Sequence, residues 1–137
     1  GIQPRQVIAA DLDGDGDLDL ASANFLDSNL TLFFQTGHRV FTPAPNALPT
    51  GNSCVSVAAA DLDGDGDIDL VAANEFSDDL TLYLQVAPGV FRRAAASPIT
   101  GSRPVWVTAA DLDGDGDVDL VSANRVGDDL SLFFNGK

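Results

Sequence analysis

One acidic segment occurs three times in this chain, at a constant spacing of 50 residues. It reads AADLDGDGDLDL at residues 9–20, AADLDGDGDIDL at 59–70 and AADLDGDGDVDL at 109–120. Periods of this length are typical of proteins that stack one small structural unit many times. We therefore expect one repeat domain over residues 1–137, built from units at 1–50, 51–100 and 101–137, with the last unit incomplete.

Each unit has the pattern of short strands separated by turns. In the first unit, apolar or alternating runs cover 6–10, 18–23 and 30–35, and a weaker run covers 39–44. No stretch keeps a helical period, so no helix is expected. Most of these strands are apolar or small on both faces, and each sheet therefore needs a cover on both sides. The sequence predicts an all-β protein of four-stranded, antiparallel, β-propeller-type blades, with the last strand missing from the third blade.

The aspartates of the repeated segment have the spacing of a cation-binding loop. Asp11, Asp13 and Asp15 stand at alternate positions, and the glycine that follows permits a sharp turn. Oxygen ligands at this density favour Ca²⁺. An EF-hand would need glutamate at the twelfth position, which is Ser22 here, so Asp19 is expected to close the shell inside a β-hairpin. The predicted ligands of three Ca²⁺ sites, one per unit, are Asp11, Asp13, Asp15, Asp17, Asp19, Asp61, Asp63, Asp65, Asp67, Asp69, Asp111, Asp113, Asp115, Asp117 and Asp119.

The pattern D-x-D-x-D-G-x-x-D between two short strands resembles the FG-GAP-like (VCBS-type) repeats of calcium-binding β-propellers. Such repeats occur in integrin α-subunit head propellers and in some lectins. The resemblance covers essentially the whole chain. The Phe-Gly and Gly-Ala-Pro motifs that give the family its name are absent, and the sequences FTPAPNALPTG and FRRAAASPITG occupy the corresponding place. The resemblance implies that each calcium loop joins the first two strands of a blade and that the ions are mainly structural.

The same resemblance implies that the opposite rim carries the ligand. That rim would hold the loops at 24–29, 74–79 and 124–129, which differ among the units while the strands repeat. Loops that vary on a rigid scaffold are typical carriers of binding. The candidate ligand-face residues are Phe25, Asp27, Glu75, Asp78, Arg125 and Asp128.

The charge balance limits the partners. There are 21 acidic and 7 basic residues, giving a net charge of −14, and each acidic segment holds five of the acids. A charge of this sign argues against a nucleic-acid partner and favours a cation. No apolar run approaches the ~18 residues of a membrane span. Extracellular calcium modules bind in the range of ~10⁻⁴–10⁻³ M, so we expect an extracellular or cell-surface location.

The expected function is a calcium-stabilised binding or adhesion module that is not an enzyme, with a protein or a glycan as its ligand. His38 is the only histidine, and no nucleophile–base set can be assembled around it. One alternative is a structural surface or filament protein of stacked blades. Another is a lectin, in which Trp106 is either a platform for a sugar or, as we favour, packed against the next blade.

Three blades cannot close a ring, so we expect self-association or further blades of a longer propeller. Asn29 begins a glycosylation sequon.

Overall fold

The computed structural model describes residues 1–136, and all regular secondary structure in that range is β-strand. The all-β prediction, without helices, is therefore confirmed for the described chain. The strands are β1 (Pro4–Ala10), β2 (Asp19–Asn24), β3 (Asn29–Gly37), β4 (Val40–Pro43), β5 (Leu48–Pro49), β6 (Cys54–Ala60), β7 (Asp69–Asn74), β8 (Asp79–Ala87), β9 (Val90–Arg93), β10 (Ser102–Ala110), β11 (Asp119–Val126) and β12 (Asp129–Phe133).

These strands form three antiparallel sheets, one in each 50-residue unit. The first sheet has the order β1-β2-β3-β4, with the short β5 pairing with β3. The second sheet has the order β6-β7-β8-β9 and the third the order β10-β11-β12. The register is the same in each, since Leu20 pairs with Phe33 and Leu70 with Tyr83 in the corresponding strands. The weak run at 39–44 is thus a true strand, while β5 was not predicted.

The period-two alternation of the strands places one apolar face on each side of the middle sheet. Leu30 and Leu32 point from the first sheet into a core shared with Val57 and Leu70 of the second. A second core lies between the second and third sheets and includes Leu80. Apolar burial at about 25 cal/mol per Å² is the main force that holds the sheets together.

The first strand of each sheet lies next to the first strand of its neighbour. β6 contacts both β1 and β10. The three strands together line a concave groove of about 270 Å³. A side chain of each first strand also accepts a hydrogen bond from the backbone of the next first strand. The Val57 N–H donates to Gln6 Oε1 at 2.8 Å, and the Val107 N–H donates to Ser56 Oγ at 3.1 Å. Each sheet is therefore joined to the next by hydrogen bonds as well as by its core.

A buried asparagine lies near the end of the second strand of every sheet: Asn24 and Asn74 are the last residues of β2 and β7, and Asn124 stands two residues before the end of β11. Asn24 Nδ2 donates to Asn29 Oδ1 at 2.8 Å and to Thr31 Oγ1 at 2.9 Å, and Asn74 and Asn124 make the equivalent pairs of bonds. These bonds tie the second strand to the third where the loop between them begins. The loops predicted to form the ligand rim are thereby fixed at their base.

Candidate functional site

The three aspartate segments form three loops of one conformation. In the first, the Gly14 N–H donates to Asp11 Oδ1 at 2.8 Å and the Gly16 N–H donates to Asp11 Oδ2 at 3.0 Å. Both glycines have a positive φ, of 76° and 91°, which side-chain-bearing residues rarely adopt. The loops after Asp61 and Asp111 repeat both bonds. The sequence spacing thus produces the same tight turn between the first and second strands of each sheet.

Each loop gathers three carboxylates. One oxygen from each of Asp11, Asp13 and Asp15 lies within 4.8 Å of the other two, and the equivalent three in the third unit do the same. In the second unit the group consists of Asp61, Asp63 and Asp69. The segments contain no basic residue that could neutralise these charges. Oxygen-only donors in a turn of this kind are the ligand chemistry that suits Ca²⁺.

The last aspartate of each segment is fully buried beneath its loop. Asp19 Oδ2 accepts a hydrogen bond from the Leu12 N–H at 2.9 Å, and Asp19 Oδ1 accepts one from the Gln35 N–H at 2.8 Å. Asp69 and Asp119 make the same two bonds. This carboxylate therefore connects the loop to the third strand in the first two units, and to Asn135, just beyond the third strand, in the third unit. Each oxygen keeps a further lone pair, so a role in closing a cation shell is compatible with these bonds.

Burial and like charges disfavour the ionised state inside the loops. Burial, followed by the nearby charges of Asp19 and Asp15, raises the pKa of Asp13 above its usual value. Burial also raises the pKa of Asp69, against two lowering hydrogen bonds from backbone N–H groups. A divalent cation would offset both effects because it supplies the opposite charge at the centre of the carboxylates.

A second feature lies at the opposite end of the sheets from the aspartate loops. It is a cleft of about 400 Å³ where the first strands begin and the second strands end. Aromatic and charged side chains line most of it. The lining residues are Arg5, Phe25, Val55, Glu75, Phe76, Val105, Trp106 and Arg125. We call this feature the rim cleft.

Three residues from one repeat position meet in the rim cleft. Phe25, Glu75 and Arg125 are 50 residues apart in sequence, and all three line the cleft. Arg125 Nη2 donates to Glu75 Oε1 at 2.6 Å, while Glu75 is buried and Arg125 is exposed. The Phe25 ring packs edge-on against Phe76 with centroids 5.8 Å apart, and the Arg5 guanidinium lies 4.7 Å from the Phe25 centroid. Three of the six predicted ligand-face residues are thus brought together.

The three remaining predicted ligand-face residues, all aspartates, do not line the rim cleft. Asp27 Oδ2 accepts the Ile2 N–H at 2.7 Å, and Asp78 Oδ1 accepts the Arg103 N–H at 2.7 Å. These two carboxylates fix backbone segments of the rim. Asp128 is exposed at the position equivalent to Asp78. Asn29, in the predicted sequon, is half-buried and accepts the hydrogen bond from the buried asparagine beside it.

Sequence reasoning missed part of the cleft. Trp106 is 53% exposed and forms a wall of the cleft, while the expectation that it packs against a further blade stays a prediction. Arg5 and Phe76 were not proposed at all. The signal that could have found the site is the change from phenylalanine to glutamate to arginine at one repeat position, because complementary charges at equivalent positions predict a contact.

The fold and the loops define a repeat protein of stacked antiparallel sheets, each with an aspartate-rich turn between its first two strands. The sequence model of the FG-GAP-like repeat matches residues 11–72 and again residues 61–122. The chain belongs to the FG-GAP-like repeat family, as its aspartate pattern indicated. Among curated proteins no significant match was found. In the described residues there is no helix of the length and apolarity that crossing a membrane requires.

Proposed function

We propose that this protein is a calcium-stabilised, non-catalytic binding or adhesion module of β-propeller type that works outside the cell. The threefold recurrence of one carboxylate loop is the observation that carries the proposal. Five aspartates in each loop repel one another, and Ca²⁺ converts that repulsion into attraction. Millimolar extracellular calcium would fill such sites, whereas the cytosol would leave them largely empty.

The calcium part of the proposal is tested by thermal unfolding with Ca²⁺, with Mg²⁺ and with chelator. Ca²⁺ at about ten times the dissociation constant of a site adds about 1.4 kcal/mol per site to the free energy of unfolding. We therefore expect a large rise in Tm with Ca²⁺ and a smaller one with Mg²⁺. Asp13→Asn should reduce the rise. Asp27→Asn, which removes the same charge outside the loops, should not. An equal Tm with Ca²⁺ and with chelator would refute calcium stabilisation.

The binding part of the proposal assigns the ligand to the rim cleft. Of the 7 basic residues, Arg5 and Arg125 line the cleft, and Arg103 lies 5.2 Å from the ring centroid of Phe76 at its edge. This places positive charge in a protein of net charge −14. Exposed aromatic rings beside guanidinium groups favour a ligand with an apolar ring face and a carboxylate.

Trp106 favours the lectin as the second candidate function. An exposed indole stacks against the apolar face of a sugar ring, and arginine pairs with the carboxylate of an acidic sugar. Binding of uronic-acid and neutral oligosaccharides should be compared on an array with the native protein, Trp106→Ala and Phe41→Ala. Phe41 is an exposed aromatic residue that does not line the cleft. Preference for acidic glycans, lost only in Trp106→Ala, would support the lectin, and the absence of glycan binding would reject it.

A further inference from the structure

The first and third sheets each present an apolar face that no other part of the described chain covers. On the third sheet the outward face holds four exposed side chains, Leu112, Leu130, Leu132 and Phe134. We call it the trailing face. On the first sheet the outward face holds Val7, Leu18 and Phe41, which are also exposed. We call it the leading face. Apolar patches of this kind on a folded protein mark interaction surfaces.

The two faces are equivalent to the two halves of a junction that the chain already forms twice. Leu30 and Leu80 are 0% exposed because the following sheet covers them, whereas Leu130, at the same repeat position, is 60% exposed. Val57 is 1% exposed under the preceding sheet, whereas Val7 is 60% exposed. The trailing face thus has the composition that fits the leading face, and the internal junctions show how they pack.

The two internal junctions share one polar contact between a side chain and a backbone N–H. The side chain at the twenty-eighth position of one unit accepts the backbone N–H of the third residue of the next unit. Ser28 Oγ accepts the Ser53 N–H at 3.0 Å, and Asp78 Oδ1 accepts the Arg103 N–H at 2.7 Å. Both donor residues have a left-handed backbone, with φ values of 61° and 58°.

Both halves of this polar contact are also present at the ends of the described chain. Asp128 stands at the acceptor position of the third unit. Gln3 stands at the donor position of the first unit and has the same left-handed backbone, with φ of 54°. Trp106 departs from the other polar contact, since its indole cannot accept a hydrogen bond as Gln6 and Ser56 do. The end faces therefore carry the side chains for the apolar contact and the groups for one of the two polar contacts.

We propose that the trailing face of one copy packs on the leading face of a second copy, and that two copies close into a ring of six sheets. β1, β6 and β10, the first strands of the three sheets, lie side by side and line one concave groove, as the strands nearest the axis of a ring would. Head-to-tail contacts form a closed ring when the rotation between copies closes and an open filament when it does not. Six sheets fall within the 4–8 blades of propellers. The inference rests on the proposed propeller-type arrangement, but on neither calcium nor a ligand.

The test is the mass of the 137-residue chain in solution, measured by light scattering and sedimentation velocity in physiological salt with millimolar Ca²⁺. The expected mass is twice 14.2 kDa. Leu132→Asp should halve it, because the trailing face would bury a charge. Val86→Asp is the matched control, since Val86 has the same 49% exposure as Leu132 but lies in the middle sheet. That variant should remain a dimer.

Mixing two variants tests the head-to-tail arrangement itself. Val7→Asp alone and Leu132→Asp alone should both be monomeric, because a closed ring needs both faces of each copy. Mixed together, they retain one intact interface per pair, so a heterodimer should appear as the concentration rises. Pairing of like faces predicts a different result, in which Val7→Asp remains a dimer through its trailing face.

Three outcomes would overturn the inference. They are a native chain that stays monomeric, an open polymer longer than two copies, and a Val7→Asp variant that still dimerises. Circular dichroism and Tm of each variant show whether it has folded. The Tm response of monomeric Leu132→Asp to Ca²⁺ tests the calcium proposal separately, so failure of the ring and failure of calcium stabilisation can be told apart.

Discussion

One buried polar atom lacks a hydrogen-bond partner, and its equivalents show how to supply one. Asn74 Oδ1 is buried without a partner among the described residues. In the third unit the equivalent oxygen accepts a hydrogen bond from Ser122 Oγ at 3.1 Å, and the first unit has the same bond. The second unit has Ala72 at the serine position. We therefore predict that Ala72→Ser stabilises the protein.

The expected gain follows from the burial of both groups. Ala72 and Asn74 are 0% exposed, so the carbonyl has lost water without gaining a partner. Leaving such a group unsatisfied costs about 1–3 kcal/mol, and a typical hydrogen bond contributes about 0.5–1.5 kcal/mol net. Ser122 is also 0% exposed, which shows that the position accommodates a hydroxyl. We expect Ala72→Ser to add about 1 kcal/mol to the free energy of unfolding, or roughly 3–5 °C in Tm.

Urea unfolding with calcium present measures this change through the midpoint at constant slope. Ser122→Ala should lower the free energy of unfolding by about the same amount, since it creates the orphaned oxygen that the second unit already has. Ala73→Ser is the matched control, because Ala73 is equally buried on the other face of the same strand, away from Asn74 Oδ1. It should destabilise. If Ala72→Ser is no more stable than Ala73→Ser, the reasoning is wrong.

Three further predictions concern single positions. Burial raises the pKa of the Cys54 thiol to about 12, so an aromatic disulfide reagent at pH 8 should modify it only in urea, and fast native labelling would contradict this. Gly101→Ala should cost about 1–3 kcal/mol in urea unfolding, because a Cβ there lies 2.6 Å from Asn124 Nδ2, whereas Gly37→Ala, in open space, should cost much less. Trp106→Gln should tighten dimerisation by supplying the missing hydrogen-bond acceptor, which sedimentation equilibrium would detect as a lower dissociation constant.

The sequence was sufficient for features that depend on local chemistry. Alternation at 30–35 predicted which side chains face the core, and Leu30 and Leu32 do lie in it. The aspartate spacing predicted the turn, because the bonds from glycine N–H groups to Asp11 span only a few residues. Even the weak fourth strand was found, since a turn and an apolar run precede the prolines that end it.

The sequence did not predict the contacts between units, because these depend on how the sheets are placed. Asp78 reads as a polar loop tip, yet it accepts the Arg103 N–H from the next unit, a contact that depends on how two sheets are placed. Trp106 reads as a packed strand residue, yet its exposure depends on which neighbour covers the third sheet. Alternation identifies the faces of a strand but does not state which sheet meets each face.

At two repeat positions the residues that differ among the units make different contacts. At the sixth position, Gln6 and Ser56 each join a sheet to the next, while Trp106 loses that bond and instead forms a wall of the rim cleft. At the twenty-fifth position, the residues of all three units meet in the same cleft. The units therefore share the residues that form the sheet and the loop, and they differ at positions that contact a neighbouring unit or line the rim cleft. A site built in this way needs several units side by side, because no single unit contains both Glu75 and the arginine that pairs with it.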